Sequence, residues 1–172
     1  MKITAQKQSG FTLIELLVSL TIITILAIAV FVALNPAQRL KDAKDARRIA
    51  DVDSILTAIH QSIVDNKGTY PSNLPAAGTY KQLGTGNATD CPITVGTYCD
   101  TTNITGYATA CVDLAAGTQN LTNYLASLPI DPVGGTTVNA VKTGYAVGRN
   151  TAGIVTVYSC YTDATTVIKS SR

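Results

Sequence analysis

GFTLIELLVSLTIITILAIAVFVAL, residues 10–34, is the stretch on which the fold turns. From Phe11 to Leu34 it runs apolar for 24 positions and carries one charge, Glu15. About 20 such residues cross the hydrocarbon core of a bilayer, so this run is long enough to span. It exceeds the ~7 to 15 apolar residues of a cleaved secretory signal, although Ala27-Ile28-Ala29 has the small-residue spacing such signals end on. A carboxylate in an apolar span costs on the order of 2.5 to 3.5 kcal/mol at the bilayer centre and less near an end. Glu15 therefore needs a partner, or must snorkel to the headgroups of an ordinary anchor.

Downstream, residues 35–68 turn amphipathic. Ile49, Val52, Leu56, Ile59 and Ile63 recur at spacings of three and four, which predicts a helical stripe. Lys41, Asp42, Lys44, Asp45, Arg47, Arg48, Asp51 and Asp53 are read as the opposite, solvated or interface face, with i,i+4 pairs such as Lys41 with Asp45. Asn66-Lys67-Gly68 is a helix stop, so residues 11–66 could form one helix of about 84 Å at 1.5 Å per residue. Pro36 interrupts it, and a kink is expected there because proline lacks a donor and crowds the carbonyl of Val32, four residues back.

Upstream, MKITAQKQSG is short, polar and basic through Lys2 and Lys7. Together with Gly10-Phe11-Thr12-Leu13-Ile14-Glu15 it resembles the junction that prepilin peptidases cut in type IV pilins and type II secretion pseudopilins. The resemblance covers residues 1 to about 35. It implies cleavage between Gly10 and Phe11, N-methylation of the new Phe11 amine, and filament assembly through Phe11 and Glu15. The physics agrees: the cut creates a cation four residues from an anion, both in apolar surroundings. A neighbouring subunit shifted along the filament axis can set its Phe11 amine against Glu15. Unlike many relatives, this chain has no Gly between Phe11 and Lys67, where those relatives place a helix-breaking Gly or Pro inside the apolar half.

The expected fold is α+β and type IV pilin-like: a long N-terminal helix, its apolar half protruding and kinked near Pro36, packed on a small antiparallel β-sheet head. The expected divisions are a leader (1–10), a transmembrane and filament-core helix (11–34), an amphipathic helix continuing into the head (35–68) and a disulfide-containing β-rich head (69–172). In that head, 93–99 (ITVGTYC) and 106–114 (GYATACVDL) read as strands, and 120–128 (NLTNYLASL) as a short helix or turn. Residues 143–148 and 154–161, joined by a turn at 149–153, read as a hairpin.

Four cysteines, Cys91, Cys99, Cys111 and Cys160, form an even set without zinc-knuckle spacing, which points to disulfides outside the cytoplasm. Sequence does not choose among the three pairings they permit; Cys91 with Cys99 and Cys111 with Cys160 is the expected one. Tyr124-Leu125 followed by Leu128-Pro129-Ile130-Asp131-Pro132 resembles a segment of the major secretion pseudopilins, in which an acidic loop nearby can hold calcium. A turn role for Asp131 outweighs a metal role, since Asp163 is the only further acid downstream and calcium takes six to eight oxygens. No cofactor and no metal is expected.

Charge excludes further classes. Thirteen basic residues face eleven acidic ones, but Lys2 and Lys7 lie in the leader, leaving eleven of each, and residues 69–172 hold five of each spread singly. That is no phosphate-tracking surface, so no direct nucleic-acid site is apparent. His60, the one histidine, stands beside the apolar stripe without a nucleophile at motif spacing, and no phosphate-binding loop is present, so no enzyme is expected. Asn87, Asn103 and Asn120 begin N-x-Thr triplets, which a Thr- and Asn-rich head produces by chance.

The function expected is therefore a structural subunit of a type IV pilus-like filament, or a pseudopilin of a type II secretion system; a non-polymerising, membrane-anchored extracellular binding domain is the alternative of another class. The implied partners are further copies of the chain, a prepilin peptidase, the inner-membrane assembly platform with its ATPase, and minor pilins. The implied location is the cytoplasmic membrane as a single-pass protein, then a surface filament. Arg39, Lys41, Lys44, Arg47 and Arg48 follow the span and outnumber Lys2 and Lys7, which by the positive-inside rule would keep the head cytoplasmic. The cysteines and the processing junction argue for the outside.

Overall fold

The computed structural model describes residues 10–92, 94–133, 137–163 and 166–172. The chain divides into two compact units, one ending at Leu40 and the other spanning Lys41–Arg172. The first nine leader residues and Ile93 lie outside the described residues.

In the first unit α1 spans Leu13–Leu34, and none of its residues is buried. Its start follows from Thr12, whose hydroxyl caps the Glu15 amide while the Glu15 carboxylate accepts from the Thr12 amide. The hydroxyls of Ser19, Thr21 and Thr24 donate to the carbonyls of Leu16, Val18 and Leu20, so these polar groups need no other partner in a hydrocarbon environment. α1 is the N-terminal part of the one described helical stretch long and apolar enough to cross a membrane.

The interruption falls one residue before the proline. Asn35 takes the left-handed conformation, φ 40° and ψ 70°, and α2 (Pro36–Asp65) begins on Pro36 itself. Proline disfavours the α region for its predecessor, and asparagine is among the few residues that accept the left-handed one. Pro36 sits at the first helical position, where its missing N–H costs nothing. α2 ends as the sequence predicts: Lys67 is left-handed at φ 56°, and the Gly68 and Lys67 amides donate to Ile63 and Val64, a Schellman closure.

In the second unit α2 packs on a five-stranded sheet of order β2-β1-β3-β4-β5, made of β1 (Thr79–Leu83), β2 (Tyr107–Val112), β3 (Tyr145–Arg149), β4 (Val155–Ser159) and β5 (Lys169–Ser171). The fold is α+β, and the β3–β4 hairpin lies where the alternating residues place it. β1 and β2 run parallel, the other pairs antiparallel. The 93–99 strand does not form among the described residues: Val95 and Cys99 make an isolated bridge around a turn instead.

Strand alternation gives the sheet two covered faces. On one, Val52, Ile55, Leu56 and Ile59 of α2 pack with Leu83, Tyr145, Val147, Val155 and Val157. Each such buried side chain contributes roughly 1.5 to 3 kcal/mol. On the other face Tyr80, Tyr107, Ala146 and Cys160 are covered by Val95, Cys99 and Ile104. Gly148 marks where β1 and β3 crowd this second face, since a Cβ there would stand 2.3 Å from the Thr79 carbonyl oxygen.

Candidate functional site

At the start of α1 the residues expected to be processed are open. Phe11 is 88% exposed. A Cβ added at Gly10 would meet nothing within 4 Å, so the fold places no demand for glycine there. Glu15 is the only charged side chain of α1. Its Oε2 accepts from the Thr12 amide at 2.9 Å and from the Thr12 hydroxyl at 2.8 Å. The structure thus brings Phe11, Thr12 and Glu15 to one helix end, with the carboxylate held by its own first turn.

A second constellation was read differently from the sequence. Arg48, assigned there to a solvated or interface face, is 2% exposed. Its Nε and Nη2 donate to the two oxygens of Asp131, each at 2.9 Å, and its Nη1 donates to Asp45 at 2.7 Å and Asp163 at 2.8 Å. Asp45 thus turns to Arg48 rather than to Lys41. Burial is the largest influence on Arg48 and favours its neutral form, yet the bonds to Asp131, Asp163 and Asp45 hold its pKa above the ordinary arginine value. Two separate stretches of chain, at Asp131 and Asp163, are tied to α2 by this one guanidinium. The signal available in the sequence was indirect: position 48 lies four residues before Val52, so the apolar stripe extends onto it.

Asp131 keeps the expected turn role, accepting from the Val133 amide at 2.8 Å, but its carboxylate is buried and its cation is Arg48. Arg47 stands 3.7 Å from Asp51, whose carboxylate also accepts from the buried Tyr145 hydroxyl at 2.7 Å. Burial foremost, and then the bond to Asp51, raise the Tyr145 pKa and keep the phenol a donor.

The expected cysteine pairing is corrected. Cys91 joins Cys111, and Cys99 joins Cys160, with Cα separations of 5.4 and 4.8 Å. The backbone dictates this: the Ala110 amide donates to the Cys91 carbonyl, and the Thr97 and Tyr98 amides donate to that of Cys160. Gly96, at φ 62°, permits the close approach, since a Cβ there would lie 2.1 Å from the Cys160 oxygen.

His60 is half-buried beside Thr57, Asp65 and Tyr124, and its Nε2 has no hydrogen-bond partner among the described residues. Asn87, Asn103 and Asn120 each hold a local turn, through bonds to Thr89 and Asp90, to Asp100, and to Thr122 and Gly117 respectively.

Residues 5–31 match the family model of the prokaryotic N-terminal methylation motif. No curated protein and no solved structure matches the chain.

Proposed function

We propose that this chain, whose N-terminus carries the prepilin-type signal of type IV pilins and pseudopilins, is a structural subunit of a pilus-like filament. The observation that supports this most directly is the methylation motif over residues 5–31, running into an apolar helix whose one charge is Glu15. No residue of α1 is buried by the rest of the described chain, so other molecules must cover it: lipid first, further copies after assembly.

A prepilin peptidase cuts between Gly10 and Phe11, and the Phe11 amine is methylated. Within the filament, Glu15 exchanges its bonds to Thr12 for the amine of a neighbour. An inner-membrane platform and its ATPase draw the subunit from the membrane, minor pilins joining the assembly, and the head ends on the cell surface. The segment from Tyr124 to Pro132 favours a secretion pseudopilin as the second reading.

Co-expression with a prepilin peptidase is expected to shorten the chain by the leader, read by intact-mass spectrometry, and a bulky residue at Gly10 to block the cut without unfolding the chain, because the site is open. An unchanged mass in the parent would overturn the processing assignment. Glu15→Ala is expected to leave processing and head folding intact while filament growth is lost. Normal filaments from that variant would remove the charge-pairing role.

A further inference from the structure

Resting on the filament reading, we infer that the outward face of α2 between Asp42 and Ser54 is the seam against the next copy of this chain, with Arg47 of one copy set against Asp53 of its neighbour. Ala43, Ala46 and Ala50 are exposed along this face, as are Arg47 and Asp53. At about 100° per residue, Arg47 and Asp53 lie roughly 60° to either side of Ala50. Lys44 stands further round on the Arg47 side, and Asp42 on the Asp53 side. Asp51 shares the Arg47 side but is half-buried and held by Tyr145, so the exposed charges nearest Ala50 are a cation on one flank and an acid on the other, the pattern a head-to-tail polymer needs, in which each copy uses two different surfaces.

Register supplies the second strand. If parallel copies pair Phe11 with Glu15, the four-residue separation sets an axial offset of about 6 Å at 1.5 Å per residue. Pairing Arg47 with Asp53, six residues apart, sets about 9 Å by the same count along α2. The two pairings share one polarity: in each, the copy displaced toward its C-terminus offers the cation and the other copy offers the acid. Any pairing of an Asp42 acid with a Lys44 cation reverses that direction. Arg47 is available, its bond to Asp51 being long and that carboxylate already held by Tyr145. Asp53 forms no ion pair among the described residues.

The test uses the full chain in cells that carry its assembly machinery, with sheared filament yield as the readout. Asp53→Arg and Arg47→Asp are each expected to lower yield more than about tenfold, because like charges then face each other across the seam. The double reversal is expected to restore it to within about twofold, either polarity serving equally at a solvated rim. With Arg47→Cys and Asp53→Cys in one chain, intact filaments are expected to give a ladder of cross-linked multimers on non-reducing gels, and the Glu15→Ala background only monomer. Filaments in the parent with unchanged yield in both single reversals, or no rescue in the double, or filaments without a ladder, would overturn the seam and leave the filament reading standing. A parent that forms no filament would overturn both.

Discussion

Arg48→Ala is expected to lower the unfolding free energy of the head by roughly 3 to 5 kcal/mol, the cost of breaking a buried ion pair from one side. Asp131 is 1% exposed and loses both guanidinium bonds, keeping among the described residues the Val133 amide and the distant Ser159 hydroxyl at 3.4 Å. Asp45 and Asp163 lose their bonds to it as well. The loss should be insensitive to salt, since buried pairs are poorly screened. Replacing both partners, Arg48→Met with Asp131→Asn, should cost much less than the two single changes added together, because neither leaves a buried charge alone. Denaturant unfolding of the detergent-solubilised chain, followed by circular dichroism, measures all four corners of this cycle. A single-variant loss under about 1 kcal/mol would show that Arg48 behaves as a surface residue after all.

The second large effect concerns the cross-links. Removing Cys99–Cys160 by paired serine substitutions should destabilise the head by roughly 4 kcal/mol, against about 3 for Cys91–Cys111, because chain entropy grows with the loop closed. The loops span 61 and 20 residues. Geometry sharpens the contrast, since Cys99 and Cys160 are fully buried and tie the end of β4 to the segment covering the outer sheet face. Unfolding midpoints of the two double-serine variants, compared in the same buffer, decide the order. A larger loss at Cys91–Cys111 would mean that local packing rather than loop closure dominates.

Local signals were legible and distant ones were not. The helix stop at Lys67 and Gly68, the hairpin of β3 and β4, and the burial of Val52, Leu56 and Ile59 all follow from residues near in sequence. Ile49 fits the same periodicity but is 53% exposed. The same pattern mistook Arg48, because its chief partner is 83 residues away and no helical period encodes it. Cysteine pairing failed for the same reason: proximity in sequence favoured Cys91 with Cys99, whereas strand β2 carries Cys111 to Cys91. β1, with its polar TYKQL, and the three-residue β5 lack the apolar alternation that marks a strand, and owe their place to neighbours in the sheet. At the N-terminus no such distance intervenes. Gly10, Phe11 and Glu15 lie within six positions, and the match at residues 5–31 covers all three.

The sheet that carries α2 on one face and the cross-linked segment on the other also divides the labour of selection. Substitutions around Ala88, Thr101 or Thr102 fall on exposed turns of the cross-linked side. Such changes leave untouched the opposite face, where Val52, Ile55, Leu56 and Ile59 of α2 pack on the sheet. The exposed turns and the helix-bearing core are thereby free to vary at different rates within one small head.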